Sequence, residues 1–462
     1  MFVVGVLLWS YFKLGVKLFL RKYKVGIKIM VTITLRGLLL VALLNVLVAC
    51  GSGAKDDAIS SIGFTPVSLS VKGDGVQPMT GLVFWTDNDE ALNALGDIVQ
   101  LEFRYMRYSD IVQQPGVYNW HKIDDLLNEV AGRKHQAILR FHYTYPGHTE
   151  ISVPDYIANA ANYTVMIEQV EAQDTFLPDW RNPELAEFTL QFFADFAARY
   201  DGDARLAMLQ VGFGSYAEYH LYDGPIELGT NFPDKAFQQA FFQKMDDSFN
   251  TTQWSVSIDS ANGEFTPLAA VPALKNADFG LFDDSFMHQT HSENDSEYNR
   301  ASWLFFGADR YHSNMLGGEF SYYSDYDQQN VLGLPNGPWG RSFESFAAQY
   351  HLSYILGNDQ YRYQSLARIK EASMALGYRF NIEQFEASNT QSRIKVTNTG
   401  NAPIYYDAYP AVNGVRSTTS LKGLLPGKTL EFSVLSGGNN PKLTIESDHL
   451  VPGQVIQFSA EL

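Results

Sequence analysis

Cysteine, positive charge and phosphate-binding glycine loops are what this sequence lacks. Cys50 is the one cysteine in 462 residues, so neither disulfides nor a cysteine-ligated metal can brace the fold. Lysine and arginine number 34 against 51 aspartates and glutamates, a formal charge of −17. Residues 1–49 hold Lys13, Lys17, Arg21, Lys22, Lys24, Lys28 and Arg36 and no acid, so the chain beyond them stands at −24. A body this acidic repels phosphate backbones and anionic membrane surfaces, which argues against nucleic acid as a partner. There is no G-x-S-x-G elbow and no Walker loop, so two common hydrolase chemistries lack their sequence signal. No internal repeat or low-complexity tract interrupts the chain.

Cys50 has an explanation of its own. Arg36 precedes an apolar run, residues 38–48, that ends in Leu47-Val48-Ala49-Cys50 and gives way to Gly51-Ser52-Gly53. A charged start, a short apolar stretch and a small residue before the cut make a secretory signal. With cysteine at the cut it resembles the bacterial lipoprotein signal. That resemblance implies lipidation of Cys50, membrane attachment through the lipid, and an exported protein held in the periplasm or at the outer-membrane or cell surface. Gly51, rather than aspartate, resembles the outer-membrane sorting pattern. Met30 as the start leaves a 20-residue prepeptide. A transmembrane anchor beginning upstream, where residues 2–20 are also apolar, is the competing reading.

What the chain has in excess is aromatic: 31 Phe and 26 Tyr. Such rings fill cores, and at a cleft they offer flat faces to sugars. Residues 1–50 read as the signal region and 51–78 as a small, polar tether. From 79 to 378, β-rich runs at 81–85, 100–106, 136–143, 206–213, 253–258, 279–283, 315–320 and 351–356 alternate with amphipathic helical stretches. That alternation predicts an α/β fold, a (β/α)8 TIM barrel. A doubly wound sheet is the alternative, but no glycine-rich phosphate loop follows the first strand. Leu185, Phe188, Phe192 and Phe196 share one face of a long helix, and a second helix is expected over 360–376. Residues 144–182 are too many for a simple connection and predict an active-site insertion with its own helix. Beyond 378, alternating runs such as 393–398, separated by Pro-Gly and Gly-Gly turns, predict a small C-terminal β-sandwich over 379–462.

In a barrel the reactive side chains sit at the C-terminal ends of strands. The fourth and seventh strands run into Glu218 and Glu319, each after glycines that let backbone crowd a ligand. Two carboxylates facing one cleft are what glycoside hydrolysis needs: one protonated to deliver a proton to the leaving oxygen, one ionised to attack or to activate water. The competing reading makes either glutamate a hydrogen-bond acceptor at the rim. Arg104, Arg107, Arg140 and His142 fall near the same mouth. Arg140 there can keep a carboxylate ionised or grip an acidic sugar. Tyr143, Tyr216, His220, Asp283, Asp284, Tyr322 and Trp339 complete the expected substrate contacts. His288-Gln289-Thr290-His291, with Glu293 nearby, is too sparse for a zinc site, so neither metal nor cofactor is expected.

Gly116-Val-Tyr-Asn-Trp120-His-Lys-Ile-Asp124 before Ile138-Leu139-Arg140-Phe141 is similar to the second and third units of many sugar-cleaving barrels. Leu139-Arg140-Phe141-His142-Tyr143, Gln210-Val-Gly-Phe-Gly214, Asp283-Asp284-Ser285-Phe286 and Leu316-Gly317-Gly318-Glu319 together resemble a pair of uncharacterised bacterial domain families. These occur fused and form one glycosidase-like barrel. The likeness covers about residues 79–378. Those families carry Trp-Gly-Glu-Trp where this chain has Tyr216-Ala217-Glu218-Tyr219, a departure that bears on sugar specificity. The resemblance to retaining glycosidases implies Glu218 as acid/base and Glu319 as nucleophile, although their usual Asn before the acid/base is Ala217 here. The expectation is thus a cell-surface, retaining glycoside hydrolase acting on a polysaccharide or oligosaccharide. The alternative is a non-catalytic glycan-binding lipoprotein on a degenerate barrel, and a third reading is a lyase using Arg140, His142 and Tyr143.

Overall fold

The structure, a computed structural model, describes residues 63–221, 224–288, 298–333, 336–357 and 359–462. Cys50, the signal region, His291 and Glu293 lie outside the described residues. Among the described residues no helix is long and apolar enough to cross a membrane.

Eight parallel strands close into a barrel: β1 (Gly81–Trp85), β2 (Leu101–Arg107), β3 (Gln136–His142), β4 (Leu206–Gln210), β5 (Gln253–Ser257), β6 (Gly280–Phe286), β7 (Leu316–Phe320) and β8 (Tyr354–Leu356). Each pairs with the next in sequence, and β8 closes on β1 with Tyr354 opposite Gly81. The runs are almost wholly buried, as strands covered on both faces must be. Period two divides their side chains. Ala137, Leu139 and Phe141 of β3 point outward into the core shared with the helices. Ile138 points inward with Val83, Phe103 and Met208. Arg140 and His142 have the inward parity of Ile138, which puts a guanidinium in the barrel lumen.

The helix Pro183–Tyr200 packs its phenylalanine stripe on this outer layer, with Phe192 edge-on to Phe141 at 4.9 Å. The insertion carries the expected helix, though only Asp155–Ala158, and also an antiparallel hairpin, Met166–Val170 with Gln173–Leu177. Two expectations are corrected. The helix foreseen over 360–376 is two, Gln360–Tyr363 and Leu366–Met374, because Ser365 caps the second by accepting from the Arg368 amide at 3.2 Å. Residues foreseen as tether instead form Thr65–Pro66 and Ser70–Val71, which pair with the C-terminal sheet.

That C-terminal region holds a six-stranded sheet, built around Phe380–Ala387 and Ser392–Asn398, and a three-stranded sheet centred on Tyr409–Val412. Their apolar faces, including Ile382, Val396, Phe432 and Ile445, share one cluster with the inward residues of the barrel. Contact is made at the N-terminal ends of the strands: the Tyr406 hydroxyl donates to the Ala207 carbonyl at 2.5 Å and accepts from the Gln253 amide at 3.1 Å. The β-region therefore stoppers the end of the barrel opposite Glu218 and Glu319. Tyr406→Phe strips a buried carbonyl and a buried amide of their partner, and about 1–3 kcal/mol of stability should go with it. Urea denaturation should show one shifted transition; an unchanged midpoint would contradict the stopper.

Candidate active site

Arg140 sits at the centre of the lumen with its side chain 1% exposed. Its Nε donates to Gln210 Oε1 at 2.7 Å, and its Nη1 to Tyr105 Oη at 2.8 Å. The same Nη1 lies 3.1 Å from Glu218 Oε1 and 3.4 Å from Glu319 Oε1. The guanidinium carbon lies over the Phe282 ring, 4.3 Å from its centroid. A charge this deep needs opposite charge and hydrogen bonds around it, and two carboxylates supply both. Because one nitrogen reaches both, their two acceptor oxygens can be no further apart than those two distances laid end to end.

Local backbone sets the pair in place. After β4 the chain turns through Tyr216 and Ala217, both left-handed (φ 56° and 58°), and the Phe213 and Gly214 amides then donate back to the Glu218 carbonyl at 3.1 and 2.8 Å. Gly212 is required because a Cβ there would stand 2.1 Å from the Ala217 carbonyl oxygen. Non-glycine residues in left-handed backbone store strain, commonly at functional sites. On β7, a Cβ at Gly318 would stand 2.1 Å from the Asp283 carbonyl oxygen. The two short glycine motifs are thus backbone clearances beneath the two glutamates.

Behind Glu218 lies a cage of acids around an imidazole. His220 Nε2 is 2.6 Å from Glu218 Oε2, 3.5 Å from Asp284 and 3.6 Å from Asp259. Burial, with the Asp284 charge added, pushes the Glu218 carboxyl well above the usual range despite Arg140. Burial likewise raises Glu319 to about 7, against the pull of Arg140. Burial also raises Asp259. Burial acts on Asp284 in the same sense and is the largest single influence, but the hydrogen bond and charge of His220, with hydrogen bonds from Glu218 and the backbone, together outweigh it and hold Asp284 at about 2. For His220 burial lowers the value, and the neighbouring aspartates raise it further than burial lowers it. Glu218, His220, Asp259 and Asp284 each bring a donor atom within 4.8 Å of the others, a spacing that would also suit a cation.

Above the pair opens a cavity of about 660 Å³. Its acids are Glu171, Glu218, Asp284 and Glu319. Its rings are Trp85, Tyr105, Tyr145 and Tyr216, with Tyr322 and Tyr323 beside them. The structure therefore brings Glu218, Glu319, Asp284, Tyr216 and Tyr322 together, with Arg140 beneath them. His142 is buried against the Tyr105 and Tyr145 rings, and burial lowers it to about 3, a neutral imidazole at ordinary pH.

Four expected contacts fall elsewhere, and parity explains two of them. Tyr143 is on the outer face of the barrel, stacked on Tyr108 at 4.2 Å and bonded to Thr189. Asp283 likewise faces out and accepts from Trp303 Nε1 and Asn299 Nδ2 at 2.8 and 2.9 Å. His220 stands behind Glu218 rather than in the cavity wall. Trp339 lies beside Tyr326 and His288. Arg104 and Arg107 pair with Asp87 and Asp110 instead of the glutamates.

No protein-family model and no curated protein matches this chain, so the likeness to the paired uncharacterised families rests on their short motifs alone. Among solved structures, endo-glycoceramidase II from Rhodococcus sp., in complex with ganglioside GM3, is 11% identical, covers 81% of this chain and 100% of its own, and has a TM-score of 0.40. A glycoside hydrolase family 30 subfamily 8 xylanase from Clostridium acetobutylicum is 9% identical over 80% of this chain and 98% of its own, at 0.36. The catalytic domain of a β-amylase from Paenibacillus polymyxa is 9% identical over 64% and 99%, at 0.41. Such distant likenesses add nothing to the barrel, which the strand pairing establishes by itself.

Removing Arg140 tests the centre. Glu218 and Glu319 have folded pKa values above their unfolded ones, so their contribution favours folding at low pH and is lost as pH rises through the folded values. Arg140→Met should therefore cost about 3–5 kcal/mol at about pH 8, where an ionised carboxylate loses its partner, and far less at about pH 5. A loss that does not vary with pH, measured by denaturant titration, would show that the guanidinium does not carry the two charges.

Proposed function

We propose that this protein is a retaining glycoside hydrolase acting on a polysaccharide or oligosaccharide, with Glu319 as nucleophile and Glu218 as acid/base. One observation carries the reading: both carboxylates touch a single Arg140 nitrogen at the floor of an aromatic-walled cavity. The resulting limit on their nearest oxygens accommodates the roughly 5–5.5 Å of retaining pairs and reaches only the lower edge of the roughly 6.5–9.5 Å of inverting ones. Glu218 is the more strongly raised of the two and stays protonated to serve the leaving oxygen. Glu319, with Arg140 stabilising its charge, attacks the anomeric carbon as the glycosidic C–O bond breaks. The proton of Glu218 goes to the departing oxygen. Water, deprotonated by Glu218, then cleaves the glycosyl–Glu319 ester. Export and a lipid anchor on Cys50 complete the proposal, on the strength of the signal pattern.

A second reading, a glycan-binding protein without turnover, has one observation in its favour. The Glu218 side chain is 2% exposed, with Oε1 held by Arg140 and Oε2 by His220.

Glu319→Gln should abolish hydrolysis and leave the fold intact, and wild-type product should first appear with the anomeric configuration of the substrate. Glu218→Gln should slow natural glycosides by about 10²–10⁴-fold, and far less for aryl glycosides whose leaving group needs no proton. An inverted product, or turnover by Glu319→Gln, would refute the assignment. The active form needs Glu319 ionised and Glu218 protonated. With Glu319 at about 7, kcat/KM should fall as pH drops below about 7 and fall again at alkaline pH as Glu218 ionises. A profile still flat down to pH values near an ordinary carboxylate pKa would contradict the burial argument.

A further inference from the structure

The cavity does not end at Trp85. The same indole lines a second, outer groove of about 480 Å³, with Asp87, Asp89, Glu90, Tyr361 and Arg362. Trp85 is thus the wall that the two spaces share. Both are acidic. The inner wall has four carboxyl groups and the outer three, and Arg362 is the one cation among the residues lining them. Arg362 lies 3.4 Å from Asp359, Arg104 is paired with Asp87, and Arg140 is committed to the two glutamates beneath the wall.

Glu171 is the inner acid without an ion pair among the described residues, its charge acting on His220 only at longer range. It stands at the tip of the hairpin Met166–Val170/Gln173–Leu177, where Glu171 and Ala172 are both left-handed (φ 54° and 57°). Such a tip ordinarily takes Asn-Gly or Asp-Gly; here it presents a carboxylate to the cavity. Its hydrogen bond is with the Tyr216 hydroxyl at 3.1 Å, and among the described residues no cation lies within ion-pair distance of it.

We propose that the inner cavity and the outer groove are one cleft for a linear glycan carrying free amino groups, with Trp85 as the platform between them and Glu171 as the ammonium acceptor. The inference rests on the glycosidase reading and names its substrate class. A uronate would meet six carboxylates besides the protonated Glu218 and no uncommitted cation, and a neutral sugar offers Glu171 hydroxyl donors but no opposite charge. An ammonium gains that charge, the faces of Trp85 and the tyrosines, and the attraction of an acidic surface.

The test is calorimetric binding to the full chain carrying Glu319→Gln, so that no turnover is needed. The probes are a β-1,4-glucosamine oligomer, its N-acetylated counterpart, a neutral glucan and an oligouronate, all of equal length. The glucosamine oligomer should bind about tenfold more tightly than the others, with a margin that shrinks as salt is added. Adding Glu171→Gln should bring the glucosamine and N-acetylated affinities together. Trp85→Ala should remove the affinity gained on lengthening the oligomer. Equal affinity for all four, or preference for a neutral or acidic one, overturns this inference and leaves the glycosidase reading standing. Binding of none, at any length, removes both.

Discussion

A single buried guanidinium is the constraint on which the upper half of this barrel depends. Arg140 enters a lumen otherwise filled by Phe103, Ile138, Phe282 and their neighbours, where an unpaired cation would not persist. Its compensation is Glu218 from the loop after β4, Glu319 from β7, Gln210 from β4 and Tyr105 from β2. Elements far apart in sequence are thereby held to one point. The strained turn at Tyr216–Ala217 and the glycine clearances at Gly212 and Gly318 follow from bringing two acidic side chains to that point.

The acids are tuned by the same burial that gathers them. Two carboxylates close together in a low-dielectric lumen cannot both ionise freely, and Arg140 carries charge enough for one. The cage of His220, Asp259 and Asp284 adds a further constraint on the Glu218 side. Glu218 and Glu319 thus stay chemically distinct although they share a cation. At the opposite end, the C-terminal sheets cover the barrel through a shared apolar cluster, so among the described residues the site opens on the face where the strands end.

Much of this was legible in the sequence, for physical reasons. Strands buried on both faces read as continuous apolar runs, and all eight expected runs lie within three residues of the observed ends, the largest disagreements being the start of β8 and the ends of β4 and β6. The rule that barrel chemistry sits at strand ends points to Glu218 and Glu319, and the structure brings both to one Arg140 nitrogen. Parity was the signal left unused: Trp85 and Tyr105 share the inward parity of Val83 and Phe103, whereas Tyr143 and Asp283 have the outward one. Glu171 gave no local signal, because its hairpin tip lacks the usual turn residues. Asp259 and the role of His220 depend on how loops fold back over the barrel mouth, which no spacing in the chain encodes. The C-terminal strands were plain from alternation, but their recruitment of Thr65–Pro66 and Ser70–Val71 is a long-range pairing without a sequence mark.

The measurement that bears most directly on the central claim is intact-protein and peptide mass spectrometry after incubation with 2-deoxy-2-fluoro glycosides bearing a good leaving group. The account predicts that the substrate class the protein hydrolyses leaves one glycosyl adduct per chain, on the peptide containing Glu319. Hydrolysis of the parent glycosides with no adduct, or an adduct on any other residue, would contradict it.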